Sequence, residues 1–341
     1  MDEPHHTVRE IHEQPQAIET VLEALQADRE TLPSIVSSPF CLVGCGTSYY
    51  LARAGEALLN RDGVAAAIPG GEVLMSPSQL PQSSFETIVP ISRSGESTET
   101  VAAADQLAAE HDAASVLGVT CTPDSSLDQL ADRSIVSPDG SEDSVVMTKS
   151  FSSMLVALEY LAELASGSST TDRFDAVPEL SEQTVTAADG LAREIADDAP
   201  AQKFVFLGSG PLFGLASEAM LKFEELTLSW SKAYHPLEFR HGPKSIADEE
   251  TLVTLFVPED PDERYHSLVE DISALGAETL IIGPRGDLDA FDGTYTFAFP
   301  SETVPSRALY MPLVQLLGYY RAVSLGLNPD DPKHLSQVVE L

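Results

Sequence analysis

Residues 91–100 read Ile-Ser-Arg-Ser-Gly-Glu-Ser-Thr-Glu-Thr, the densest run of polar chemistry in the chain. Ser92, Arg93, Ser94 and Ser97 stand where an apolar run ends and a helical pattern begins. The first turn of a helix exposes free N–H groups and the positive end of the backbone dipole. Hydroxyls gathered there make a seat for a phosphate monoester. The competing reading is a serine-rich cap, in which a Ser or Thr side chain satisfies Glu99 or Thr100. Ser48, at the equivalent strand-to-helix turn after Gly44-Cys45-Gly46, favours the phosphate seat.

Acid–base chemistry concentrates in residues 217–243. Glu218, Lys222 and Glu225 fall at helical spacings of four and three and share one face. A solvated ion-pair stripe has this pattern. So does a carboxylate tuned as a base by a buried lysine, and the preceding glycine turn points to a helix buried against a sheet. Arg240-His241-Gly242-Pro243 puts a histidine in a loop, either simply exposed or placed to move a proton near neutral pH. His5, His6 and His12 read as surface, and His111, His235, His266 and His334 have no partner pattern.

Other chemistries find little support. Gly44-Cys45-Gly46 begins a dinucleotide fingerprint, but Tyr49 stands where its third glycine belongs, and Phe213 does so in a second copy. Residues 64–68 (Val-Ala-Ala-Ala-Ile) end without an acid for a ribose, and no P-loop pattern exists. Cys41, Cys45 and Cys121 lack metal-type spacing and read as small buried residues in a reducing compartment. No metal and no cofactor are expected.

The elements that must hold these residues repeat. An offset of 164 positions carries the turn at Gly44 onto Gly208-Ser209-Gly210, Leu51-Ala52 onto Leu215-Ala216, and the run Ile88–Ile91 onto Leu252–Leu255. Strands are predicted at 40–44, 64–68, 86–91, 115–120 and 134–137, with helices at 47–60, 98–110 and 148–166 between and after them. The second copy is predicted to have strands at 203–207, 251–257, 278–282 and 294–299 and helices at 212–230 and 304–325. Residues 7–32 read as one amphipathic helix. Alternating strands and helices imply an α/β fold of two doubly wound parallel sheets in three α/β/α layers. The expected domains are an N-terminal helix (1–35), a first domain (36–167), a linker helix (168–200), a second domain (201–326) and a tail (327–341).

With 54 acidic residues against 19 basic ones, only six of them lysines, the net charge is −35. Such a surface repels nucleic acid and anionic membranes. It suits a halophilic cytoplasm, where roughly 1 M salt screens self-repulsion beyond about 3 Å. No basic-then-apolar leader opens the chain and no stretch is apolar enough to span a bilayer, so a cytoplasmic location is expected.

Six motifs together resemble the sugar isomerase (SIS) family, above all the tandem-SIS isomerase half of glucosamine-6-phosphate synthase and its deaminase relatives. They are Cys45-Gly46-Thr47-Ser48, Ser92-Arg93-Ser94-Gly95-Glu96-Ser97, Thr148-Lys149-Ser150-Phe151, Glu218…Lys222…Glu225, Glu238-Phe239-Arg240-His241-Gly242-Pro243 and Asp331-Pro332-Lys333-His334-Leu335, in family order over residues 40–341. The resemblance implies that Thr47, Ser48, Ser92, Arg93, Ser94, Ser97 and Thr148 bind the sugar phosphate. It further implies that Glu225 moves a proton between C1 and C2, that Lys222 and Glu218 position the sugar and tune Glu225, and that His241 assists ring opening across a homodimer interface. The implied substrate is a hexosamine 6-phosphate, with glucosamine 6-phosphate giving fructose 6-phosphate and ammonia without a metal.

Departures from the pattern shape this expectation. The synthase has a glutaminase domain with an N-terminal cysteine nucleophile, whereas this chain opens Met1-Asp2 and has no cysteine before Cys41. Transfer of ammonia from glutamine by this chain alone is therefore not expected. Gln337 stands where the synthase tail carries a lysine, which removes a Schiff-base route. The form Glu238-Phe239-Arg240-His241-Gly242-Pro243-Lys244 looks more like the deaminases and deglycases. The alternatives are a glutaminase-less, synthase-like aminotransferase or isomerase half, and a non-catalytic sugar-phosphate sensor.

Overall fold

A computed structural model describes residues 5–80, 84–168, 172–199, 201–286 and 288–338. The first four residues, read above for a leader, lie outside the described residues. So do the end of the tail and parts of the linker (169–171 and 200).

In chain order the elements are α1 (His6–His12), α2 (Gln14–Ala27), β1 (Phe40–Gly44), α3 (Thr47–Leu59), β2 (Ala65–Pro69), α4 (Gly70–Met75), β3 (Thr87–Ser92), α5 (Thr98–Glu110), β4 (Ser115–Thr120), α6 (Ser126–Leu130), β5 (Arg133–Val136) and α7 (Lys149–Ala165). There follow α8 (Val177–Asp198), β6 (Lys203–Leu207), α9 (Pro211–Thr227), β7 (Trp230–Tyr234), α10 (Pro236–Phe239), β8 (Thr251–Phe256), α11 (Glu263–Ala274), β9 (Glu278–Pro284), β10 (Tyr295–Phe299) and α12 (Met311–Ser324). They form two compact units. One comprises Glu13–Asp143, Met147–Pro178 and the tail from Ser336; the other comprises the residues up to His12, Ser144–Val146 and Glu179–Leu335.

The first unit holds a parallel sheet in the order β2-β1-β3-β4-β5. Its inner strands β1 (Phe-Cys-Leu-Val-Gly) and β3 (Thr-Ile-Val-Pro-Ile-Ser) are buried at every position, as parallel strands covered on both faces must be. Pro90 donates no ladder bond, and the pairing of β3 with β4 skips Val89 and Pro90. Helix α3 packs on α7, and α4 packs on α5. Burial pushes the Cys41 thiol up to about 12. That thiol stays protonated among Val43, Ile88 and Leu107.

The second unit holds a parallel sheet in the order β10-β9-β8-β6-β7. Counted from each sheet's first strand, the two orders are the same. The strand-to-helix turns also match. Gly46 and Gly210, the residues before α3 and α9, adopt φ/ψ of 55°/−126° and 54°/−130°. Positive φ with that ψ is open to glycine and strained for other residues. Two residues earlier, a Cβ on Gly44 would lie 2.7 Å from the Ser48 backbone, and one on Gly208 would lie 2.1 Å from the Leu212 carbonyl. Each turn thus needs one glycine for conformation and another for close approach of the helix.

Three predicted elements differ. The helix over 7–32 is two, because Pro15 lacks an N–H and its ring would clash with the carbonyl four residues earlier. The helix over 212–230 stops at Thr227, where Leu228 turns left-handed, and the next residues form strand β7. The helix over 304–325 begins only at Met311, after a 3-10 turn at Arg307–Tyr310, with Pro312 in its first turn. Helix α11, missed in the sequence, caps itself: the Asp262 side chain accepts from the Arg264 N–H.

The ends of the second unit are tied. Asp330 accepts from the His6 and Thr7 amides at 2.9 and 2.8 Å and from the Thr7 hydroxyl at 2.8 Å. It thereby serves as the N-terminal cap of α1. No helix among the described residues is long and apolar enough to cross a membrane.

Candidate functional site

The first sheet ends in a polar edge at β1 and β3, where the strand order reverses and such folds open a crevice. Ser92, the last residue of β3, is buried, and its hydroxyl donates to Ser97 Oγ at 3.3 Å and accepts from the Gly95 amide at 3.1 Å. Gly95 has φ 67°, and a Cβ there would sit 2.0 Å from Ser125 Oγ. Ser94 Oγ accepts from the Glu96 amide at 3.1 Å. The Arg93 carbonyl is held by Cys121 N–H and by the Thr120 and Thr122 hydroxyls. Ser97, the residue before α5, makes no side-chain cap. The Ser97 hydroxyl is therefore not spent on capping α5, and the first turn of a helix is where an anionic oxygen can be held.

Neighbouring acid is kept occupied. The Glu96 carboxylate accepts from the Ser126 amide and hydroxyl at 2.8 and 2.7 Å, which holds its pKa below the usual value. Thr47 and Ser48, in the first turn of α3, are buried beside this edge. The Thr100 hydroxyl donates to Cys45 Sγ at 3.6 Å, linking the entrance of α3 to the first turn of α5.

Arg93 and Thr148 meet on a residue the sequence did not single out. Glu142, with a wholly buried side chain, accepts from Arg93 Nη1 at 3.1 Å. It also accepts from the Thr148 amide and hydroxyl at 2.6 and 2.8 Å and from the Ser150 hydroxyl at 2.5 Å. One acid among 54 carries no spacing signal, so only the fold reveals it. Lys149, in the same motif, pairs with Glu13 at 2.8 Å and so braces α7 on α2.

In the second unit, the stripe Glu218, Lys222 and Glu225 is not a solvated face. Glu218 and Lys222 are buried on α9, and Glu225 keeps 18% of its side chain exposed. Lys222 Nζ lies 3.2 Å from Glu218 and 2.5 Å from Glu225. Burial opposes the charge on Lys222, but the two carboxylates outweigh it and hold the ammonium above its ordinary pKa. The arrangement is one buried cation between two carboxylates, of which the outer one reaches solvent. His241 is exposed, its amide donating to the Glu238 carbonyl at 3.0 Å before Gly242 at φ 119°. Arg240 is bound to Asp271 at 2.9 Å.

The sequence profile of the SIS domain matches residues 40–164, the stretch from β1 through most of α7. A glutamine–fructose-6-phosphate aminotransferase (isomerizing) of Methanothermobacter thermautotrophicus is 29% identical over 346 residues. That alignment takes in 98% of this chain, which spans 57% of that relative's length. Among solved structures, a glucosamine-6-phosphate deaminase from Thermotoga maritima superposes with a TM-score of 0.81 at 31% identity, covering 98% of this chain and 100% of its own. The tagatose-6-phosphate ketose/aldose isomerase of Escherichia coli gives a TM-score of 0.81 at 26% identity over 95% of this chain and 94% of its own. Motif order, fold and full-length similarity converge: the chain belongs to the SIS domain family.

Proposed function

We propose that the chain deaminates a hexosamine 6-phosphate, converting glucosamine 6-phosphate and water to fructose 6-phosphate and ammonia. The observation that carries this reading is Glu225, a partly exposed carboxylate held 2.5 Å from a buried lysine. In this reading the two sheets are tandem, doubly wound SIS domains, and a homodimer completes each site. The Ser92–Ser97 loop, with Thr47 and Ser48, grips the phosphate, and Arg93 and Thr148 frame it. His241 of the partner subunit moves a proton between O5 and O1, opening the ring. Glu225 then takes the C2 proton, leaving an enolamine, and returns it to C1. The resulting C2 ketimine adds water and expels ammonia. Lys222 and Glu218 hold Glu225 in place. The amine itself feeds electrons into the enolamine, so the proton shuttle has no need of a metal.

Full-length similarity to a deaminase supports release of ammonia, as does Gln337 in place of a tail amine. A second reading draws on the aminotransferase relatives: the chain would supply the isomerising half of an amination, with nitrogen coming from elsewhere. The test is a panel of hexose and amino-hexose phosphates in about 2 M KCl, a salt level that screens the acidic surface. Ammonia and ketose are followed together, in both directions, with free ammonium in the reverse arm. Glu225→Gln should lower turnover by about 10²–10⁴-fold. Unimpaired turnover by that variant would remove Glu225 from the role.

A further inference from the structure

The proton-shuttle reading uses Glu225 and leaves unexplained a heavily bonded acid of the first unit. Glu142 stands between β5 and α7, and three separate stretches of chain close a ring around it. From the phosphate loop, Arg93 Nη1 donates to its Oε2. From the start of α7, the Thr148 amide and hydroxyl and the Ser150 amide donate to Oε1, while the Ser150 hydroxyl donates to Oε2. From the tail, Gln337 Nε2 donates to the carbonyls of Glu142 and Asp143 at 3.4 and 2.7 Å. Arg93 Nη2 closes the ring by donating to the Gln337 carbonyl at 3.3 Å.

We propose that Glu142 is the positioning residue of the phosphate loop: its carboxylate fixes Arg93, and Arg93 in turn seats the tail at Gln337. The inference rests on the phosphate reading of residues 92–98. The two oxygens divide the work. Oε1 serves Thr148 and the Ser150 amide, and Oε2 serves Arg93 and a hydroxyl that can turn to accept instead. An amide in place of the carboxylate can therefore keep every contact of Oε1 while aiming N–H groups at the guanidinium, which has only donors to offer. Glu142→Gln thus breaks the link to Arg93 and spares the rest. Loss of a binding contact made equally in ground and transition states appears in KM and not in kcat.

The experiment compares wild type, E142Q, R93Q and the double variant by two readouts. The first is hydrogen exchange in the ligand-free chain. E142Q should speed exchange about tenfold in both the 92–98 loop and the 333–338 tail, because local opening scales with the lost contacts. The second is steady-state kinetics with glucosamine 6-phosphate, with inorganic phosphate as competitor. Each single variant should raise KM and the phosphate inhibition constant about tenfold, with kcat within about threefold. The double variant should be about tenfold impaired and not a hundredfold, since both changes break one link.

Unchanged exchange in E142Q, KM effects that multiply, or a loss confined to kcat would each overturn the proposal. Loop and tail freed in E142Q, with wild type binding no phosphate, would leave the positioning role standing and remove the functional reading instead. If E142Q does not fold, R93Q leaves the buried carboxylate its Thr148 and Ser150 donors. It must then release the tail by the same exchange measurement, and a tail that stays protected refutes the link.

Discussion

Replacing Lys222 by methionine keeps a long, slender side chain and deletes its charge. In the native triad the ammonium lies 2.5 Å from Glu225 and 3.2 Å from Glu218. At an effective dielectric of about 20 those separations correspond to attractions of roughly 7 and 5 kcal/mol. Desolvation consumes several kcal/mol per ion, so the intact triad contributes little net stability. Removing the cation alone is another matter. Glu218, at 0% exposure, then loses the ammonium that offsets its charge and still has Glu225 on the same helix face. An uncompensated buried charge costs about 3–5 kcal/mol. Proton uptake is the available relief, so a carboxyl in the variant acquires a folded-state pKa above its unfolded one. Stability tied to such a group is present below the unfolded pKa and is withdrawn as pH rises, so the deficit should grow between about pH 5 and pH 8. Urea unfolding of wild type and Lys222→Met in about 2 M KCl, a screening salt level, measures it. Adding Glu218→Gln to Lys222→Met should restore more than half of the loss. A deficit below about 1 kcal/mol at pH 8, or one independent of pH, would refute the reasoning, since the buried-charge penalty demands both.

The matched turns make a paired prediction. Gly46→Ala and Gly210→Ala should each cost about 1–3 kcal/mol in unfolding experiments, because both positions force a side chain into a sparsely populated backbone region. At Asp330 burial works against the charge. The Thr7 and His6 donors and the nearby His5 outweigh it and hold the carboxyl below its ordinary value of 3.8. A depressed carboxylate stabilises above its unfolded pKa and loses that effect as pH falls through the folded one. Asp330→Asn should therefore lose about 1 kcal/mol near neutral pH, typical of a helix cap, with the gap to wild type closing below about pH 4 in acid titrations. The charge of −35 should make the melting temperature climb from about 0.1 M to about 2 M KCl. A flat salt profile would mean that self-repulsion is not felt by the fold.

Much of this architecture was legible because parallel strands and their helices write distinct periods. The runs at 40–44, 115–120 and 203–207 coincide with β1, β4 and β6. Strand β7 escaped because Trp230-Ser-Lys-Ala-Tyr sits at a sheet edge with exposed Trp230 and Lys232, so it lacks an apolar run. The 164-residue offset applied to β2 would have found it. The serine loop and the α9 stripe were visible as types and spacings, but their environment was not. A stripe of Glu, Lys and Glu reads the same on a wet helix and a dry one. Glu142 and Asp330 were illegible for a different reason: each works through partners distant in sequence, within a chain where acids are everywhere.

Asp262 gives the two similar sheets different capacities. Its carboxylate covers the start of α11, and the Arg264 side chain and amide hold its pKa to about 2, so it is ionised throughout the physiological range. The matching helix start in the first sheet carries an uncharged serine. A ligand anion approaching α11 finds the helix-start amide already taken by a covalently tethered carboxylate that dilution and dialysis cannot remove. Saturation with phosphate should accordingly level off at one equivalent per polypeptide, and an assembly of n copies should hold n anions, not 2n.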